Sequence, residues 1–310
     1  MHVRVAVTGA SGFVGGAVAR SLVADGHDVR TFSRRPTQVG TWQRWDLADG
    51  ALADVADVDA VVHVGAAVAD GGRRANAARI NVDGTRAVRE TFSGARMIHV
   101  SSASVYDPRV PTVLGREDVP LPARHLNAYG ATKAAAERYL ARADLGPVLV
   151  LRPHAVYGPG DTTLLPRVEG LVRRGCVPLV GDGSALHSFT HVDTFVAAVR
   201  AGLAGDATGV VNVADAEPWP LRRAVLELLA RRGHRGSDGG PLRVVEVPSR
   251  LARGLATVLD GAAACGLPRS RLSRYALSHL AVERTLDLTR LREELGVDPA
   301  PTSLEGAEAW

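Results

Sequence analysis

Lysine is nearly absent from this chain. Lys133 stands alone against 36 arginines, so positions that need only a positive charge have been given arginine. A lysine kept in that background points to a task for a compact ammonium on a flexible stem rather than a forked guanidinium. Cysteine is scarce as well. Cys176 and Cys265 lie far apart, which excludes a disulfide framework and leaves no metal-ligand spacing. Aromatic residues make up 5% of the chain and do not interleave with basic runs, and the net charge is only +4, so no nucleic acid partner is expected. No uncharged stretch approaches the roughly 18 residues of a membrane-crossing helix. No signal peptide precedes the first strand pattern, so a cytoplasmic protein without a membrane span is expected.

The composition that remains is globular, 46% hydrophobic and 23% charged over 310 residues, enough for one large domain or two fused lobes. Residues 2–8 read as a buried strand, followed by a glycine turn and a helical period to Asp25. Further strands are expected at 28–32, near Trp45-Asp46, at 59–63, 96–100 and 148–151, with helices over 75–92 and 129–143. Strands alternating with helices predict an α/β fold with a doubly wound parallel sheet, the Rossmann arrangement. After residue 152 the texture becomes irregular, with helices expected at 163–174, 192–203, 220–232, 249–264 and 287–295 and strands at 177–180 and 210–213. We therefore expect a nucleotide-binding domain over 1–152 and an intertwined substrate lobe over 153–310. Residues 233–241, rich in glycine, read as a loop.

The first strand runs into Thr8-Gly9-Ala10-Ser11-Gly12-Phe13-Val14-Gly15, a G-x-x-G-x-x-G turn that opens a helix. Gly9 suits the tight turn, Gly12 the approach of a pyrophosphate, and Gly15 close helix packing, while the helix start offers free N–H groups to phosphate. Dinucleotide binding is expected there, with Ser11, Phe13 and Val14 contributing. Strand two ends Ser33-Arg34-Arg35 where an NAD site carries an acid. Two guanidiniums suit a 2′-phosphate, so NADP(H) is favoured over NAD(H). The lone lysine follows a tyrosine by four residues, Tyr129-Gly130-Ala131-Thr132-Lys133, which puts both on one helix face. A neighbouring ammonium favours phenolate, so Tyr129 is a candidate general acid or base.

Other segments join these. They are Asp46-Leu47, His63-Val64-Gly65-Ala66-Ala67, Asn81-Val82-Asp83-Gly84-Thr85, Ser101-Ser102-Ala103-Ser104-Val105-Tyr106, and Arg152-Pro153-His154-Ala155-Val156-Tyr157-Gly158-Pro159-Gly160-Asp161. In this order they resemble the extended short-chain dehydrogenase/reductase superfamily over nearly the whole chain. The resemblance implies that Ser102 orients a substrate carbonyl, that Tyr129 transfers the proton, and that Lys133 binds the nicotinamide ribose and tunes Tyr129. It also implies cofactor contacts from Asp46, Leu47, Gly65, Ala66, Ala67, Asn81, Pro153 and His154. Gly65 departs from the usual alanine. Ser101 and Ser104 compete with Ser102 for its assignment, and Tyr106 and Tyr157 are expected in packing or pocket lining.

Nucleotide-sugar enzymes of this superfamily carry an arginine where the segment Gly181-Asp182-Gly183-Ser184-Ala185-Leu186-His187-Ser188-Phe189 has His187. A neutral histidine is a poor pyrophosphate clamp. The run from Leu151 to Arg167, Phe189-Thr190-His191-Val192-Asp193 and the stretch from Asn212 to Pro220 look like the 3β-hydroxysteroid dehydrogenases and 2-alkyl-3-oxoalkanoate reductases instead. In that branch the apolar segment Leu251–Cys265 helps cover a hydrophobic substrate, although a plain core helix would read the same way. The expectation is an NADP-dependent ketoreductase or alcohol dehydrogenase that transfers hydride to or from a bulky, hydrophobic small-molecule substrate. The alternatives are a nucleotide-sugar epimerase or dehydratase with bound NAD, and a non-catalytic NAD(P)-sensing protein. A homodimer is what the resemblance implies for assembly.

Overall fold

The structure is a computed structural model that describes residues 2–68, 74–142, 146–264 and 281–310. Cys265 and residue 143 of the helix expected over 129–143 lie outside the described residues. The chain opens with β1 (Arg4–Thr8), α1 (Phe13–Ala24), β2 (Asp28–Ser33), β3 (Thr41–Arg44) and β4 (Ala60–His63). Next come α2 (Arg74–Ala78), a π-helical turn at Arg79–Asp83, α3 (Gly84–Thr91), β5 (Arg96–Val100), β6 (Thr112–Gly115), α4 (Ala128–Leu140) and β7 (Val148–Pro153). Then follow β8 (Val156–Tyr157), α5 (Leu164–Glu169), β9 (Cys176–Val180), β10 (Leu186–His187), β11 (Thr190–His191), α6 (Val192–Ala204) and β12 (Gly209–Val213). The last elements are β13 (Trp219–Pro220), α7 (Leu221–Arg231), β14 (Arg243–Val247), α8 (Ser249–Ala264), β15 (Arg284–Leu286) and α9 (Thr289–Glu293).

Seven parallel strands form the main sheet in the order β12-β7-β5-β4-β1-β2-β3. The winding reverses between β1 and β4, so a crevice opens beyond Thr8 and His63 at the carboxyl ends of the strands. Continuous apolar runs fill the middle of the sheet, as expected of strands covered on both faces. Val5, Val7, Val62, Ile98, Leu149, Leu151, Val211 and Val213 are buried in one core with Phe195 and Val199 of α6. Helix α6 lies close because Gly202 has no side chain; a Cβ there would sit 2.5 Å from Leu149 Cδ2.

A second sheet runs β13-β10-β15-β6, and the pairs β11-β8 and β14-β9 complete the other lobe. Its core gathers Tyr157, Leu165, Val177, Leu179, Trp219, Leu228 and Leu229. Three details differ from the sequence reading. The third strand ends at Arg44, because Asp46 leaves the strand to cap a short turn through Ala48 N. Helix α5 stops at Glu169, because residues 171–176 turn back on themselves through the Arg173–Cys176 bridge. The expected helix over 75–92 is interrupted by the π-turn around Asn81. Strand β12 lies beyond residue 152 yet completes the first sheet beside β7, so chain order and lobe do not coincide. Among the described residues no helix is long and apolar enough to cross a membrane.

Candidate active site

The glycine turn is shaped by backbone contacts at two of its three glycines. Gly9 has a φ of +70°, and a Cβ there would meet Gly65 Cα at 2.7 Å; a Cβ on Gly15 would meet Gly9 O at 2.4 Å. Gly12 is exposed, and a Cβ there would meet only Gly9 O, at 3.3 Å. Helix α1 therefore starts beside an open surface. No side chain caps it and no acidic residue occupies its first turn. Its first N–H groups, at Phe13 and Val14, lack partners within the helix and are free for phosphate oxygens. This fits a dinucleotide pyrophosphate.

At the end of β2 the Ser33 hydroxyl donates to Arg35 O at 2.6 Å and accepts from Trp42 Nε1 at 3.1 Å. This holds the turn that carries Arg34 and Arg35. Both arginines are exposed, and neither pairs with a carboxylate among the described residues. Leu47 lies against the next turn, where a Cβ on Gly65 would come within 2.7 Å of Leu47 Cδ1.

The turn after β4 is held from two sides. Thr8 Oγ1 accepts from Gly65 N and so directs its own proton to His63 Nδ1, 2.7 Å away. His63 Nε2 lies 3.0 Å from Thr85 Oγ1, whose proton goes to Asn81 O. His63 is thus the neutral Nε2–H tautomer, and burial, helped by the charge of Lys133, pushes it down to about 3. Asn81, on the π-turn, accepts from Ala67 N and donates to Ala67 O and Thr132 Oγ1. Its amide hydrogens are both used, so Asn81 braces the Gly65–Ala67 turn against α4. π-Turns recur at such functional positions.

Helix α4 is capped by Asn127, whose side chain accepts from Gly130 N at 3.0 Å. Gly130 lets the helix start press on the segment after β5, since a Cβ there would lie 2.4 Å from Ser104 O. Tyr129, half-buried in this first turn, is thereby brought to the segment that carries Ser102. One turn on, the buried Lys133 donates from Nζ to Val100 O at 2.6 Å, two residues before Ser102. Burial lowers the Lys133 ammonium to about 8, and nearby Glu137 acts in the opposite sense. Ser101 Oγ is engaged by Glu137, whereas Ser102 Oγ donates to Ser104 Oγ and accepts from Ser104 N.

Behind the serines lies a buried network. Arg152 donates from Nη2 to Glu137 Oε2 at 2.6 Å and from Nε to Glu137 Oε1 at 3.0 Å. Arg152 Nη1 reaches the Tyr106 hydroxyl, which donates to Asn212 Oδ1. Burial opposes the Arg152 charge, but Glu137 outweighs it and holds the guanidinium protonated. The pair locks α4 to β7. Glu137 carried no motif, although its position four residues after Lys133 puts it on the same inward face.

A model of the NAD dependent epimerase/dehydratase family matches residues 5–214. The chain belongs to this family, the extended short-chain dehydrogenases/reductases. It is 39% identical over 253 residues to a 2-alkyl-3-oxoalkanoate reductase of Stenotrophomonas maltophilia (strain K279a), covering 74% of this chain and 76% of that one. It is 30% identical over 331 residues to the 4-hydroxy-2-methyl-3-oxo-4-farnesyl-3,4-dihydroquinoline-1-oxide ketoreductase of Stigmatella aurantiaca, covering 99% and 95%. Among solved structures, the NAD-dependent NDP-hexosamine 5,6-dehydratase TunA superposes with a TM-score of 0.73 at 23% identity, covering 99% of this chain and 95% of that one. That likeness establishes the fold.

On the substrate side, this member of the family differs from the nucleotide-sugar pattern. His154 follows β7, and its ring lies 6.1 Å from that of His187, 16° from parallel. His187 is buried, and its Nε2 has no hydrogen-bond partner among the described residues. Tyr157 donates to Asp215 at 2.7 Å, and the Tyr106 hydroxyl donates to Asn212 Oδ1, so both hydroxyls are engaged in the core. Ala155 holds a φ of +47°, a left-handed conformation disfavoured for a residue with a Cβ. Helix α8 is not a core helix. Ala252 and Ala256 pack on Val180 and Val247, while Leu251, Leu255 and Val258 face outward, exposed.

Proposed function

We propose that this chain is an NADP-dependent ketoreductase for a bulky, hydrophobic ketone. The observation that carries the reading is Lys133, buried on α4 one turn after Tyr129 and bonded to the strand end that leads into Ser102. When bound, the nicotinamide supplies or accepts the hydride. Ser102 Oγ donates to the carbonyl oxygen and polarises it. Tyr129 Oη gives its proton to the developing alkoxide. The ammonium of Lys133 stabilises the phenolate left on Tyr129 and holds the ribose hydroxyls. Donors fixed beforehand at a developing oxyanion account for most of such an acceleration. The Gly12–Val14 helix start holds the pyrophosphate, and Arg34 and Arg35 hold the 2′-phosphate.

Support for the substrate class comes from the curated relatives, which are a 2-alkyl-3-oxoalkanoate reductase and a farnesylated quinoline ketoreductase. A nucleotide-diphosphate sugar is disfavoured by the neutral His187. A homodimer belongs to the same proposal and is checked by sedimentation.

The test is a fluorescence titration with NADPH and NADH, followed by oxidation of NADPH in the presence of long-chain ketones. We expect tight, exchangeable NADPH binding, weaker NADH binding, and turnover with NADPH. The double variant Arg34→Ala/Arg35→Ala should lose the preference by about tenfold or more, since each charge-assisted phosphate contact contributes on the order of 1.5–3 kcal/mol. NAD(H) retained through purification, with no NADPH preference in the wild type, would overturn the NADP assignment.

A further inference from the structure

His187 combines a side chain only 3% exposed with a ring nitrogen, Nε2, that has no hydrogen-bond partner among the described residues. Buried polar atoms are nearly always paired, so an orphan placed near the strand ends of the main sheet invites a ligand atom. Three contacts fix its place. Strand β10 sets His187 between Trp219 on β13 and Arg284 on β15. Its ring faces that of His154, which directly follows β7 at the carboxyl edge of the main sheet. Strand β7 neighbours β5, and Ser101 N donates to Leu151 O at 2.8 Å, so the histidine pair stands next to the strand end that presents Ser102.

The neighbourhood also fixes the ring's chemistry. Burial, and then the charge of Arg284, push His187 down to about 4, so near neutral pH it carries one N–H and one lone pair. Arg284 itself is committed to the loop at 107–112. It donates to the carbonyls of Asp107, Pro108 and Val110 and to Thr112 Oγ1. Such a ring cannot clamp a pyrophosphate, but it can bind a single oxygen.

We propose that His187 is a specificity residue whose Nε2 binds a second oxygen of the substrate, close to the reacting carbonyl, so that the enzyme selects ketones bearing a neighbouring oxygen function over plain ketones. This rests on the ketoreductase reading.

The test compares a 2-alkyl-3-oxoalkanoate ester with a plain ketone of matched length, in the wild type, His187→Phe and His187→Gln. The readout is the ratio of the two kcat/KM values, which partial loss of folded enzyme lowers equally and so leaves unchanged. The wild type should favour the oxo ester by about tenfold, the size of one hydrogen bond. His187→Phe should bring the ratio close to one, mainly through KM, and His187→Gln should restore most of it. An unchanged ratio in His187→Phe, with both ketones still reduced, would overturn the role of His187 alone. Failure of the wild type to reduce either ketone while it binds NADPH would overturn the ketoreductase reading and this inference with it.

Discussion

At the scale of single residues, Lys133 concentrates both the cost and the use of the site. Its ammonium is buried with one backbone acceptor, Val100 O, and burial has lowered it to about 8. The native protein therefore gives up this proton before the unfolded chain does. The contribution of Lys133 to stability rises as pH climbs from about 8 toward the ordinary 10.5, and below 8 the buried charge weakens the cofactor-free fold. Because the chain has one lysine, 13C-labelled lysine gives one side-chain signal, and we expect it to titrate near 8. A midpoint at 10.5 would show an exposed ammonium instead. Lys133→Met should raise the stability of the cofactor-free protein by about 1–2 kcal/mol while abolishing turnover, the usual exchange of stability for function. This residue was legible because it is rare in the sequence. His99 was not. Both its ring nitrogens are buried and without a hydrogen-bond partner among the described residues, a fact set by what packs across the sheet and by no local pattern.

At the scale of elements, the site depends on how closely backbones approach. Gly130 lets α4 press on Ser104 O, and this contact, with the Lys133–Val100 bond, holds the start of α4 against the segment that carries Ser102. Gly130→Ala would put a Cβ 2.4 Å from Ser104 O, so the helix start must move away from the serine segment. We expect turnover to fall by about a hundredfold, as a misplacement of about 1 Å commonly costs. NADPH binding and the circular dichroism spectrum should change little, and near-normal turnover would show that the approach is dispensable. The strongly patterned elements β1, α1, β4, β5, α4 and α6 were readable from periodicity and caps. Strands β6, β10, β13 and β15 were not, since they span two to four residues and are stabilised by distant partners. His187 pairs with Arg284, and a two-residue strand has no period to read.

At the scale of the whole molecule, the chain crosses between its lobes more than once. Strand β12 returns to the main sheet after the small strands β8 to β11, and β15 joins β6 in the second sheet. The fold class and the cofactor edge were legible because the βαβ alternation and the glycine turn are local signals. The substrate side was less so, because it is built from segments far apart in sequence that meet only in the folded chain. The central claim of the proposed function is proton delivery from Tyr129 to a ketone oxygen as hydride arrives at its carbon. The most direct test is single-turnover transfer of deuterium from C4-deuterated NADPH to a long-chain ketone, in the wild type and in Tyr129→Phe. We predict labelled alcohol from the wild type, and a rate at least about a thousandfold lower in Tyr129→Phe with NADPH affinity retained, the scale of losing a positioned general acid. Equal rates of label transfer in the two proteins would contradict the account.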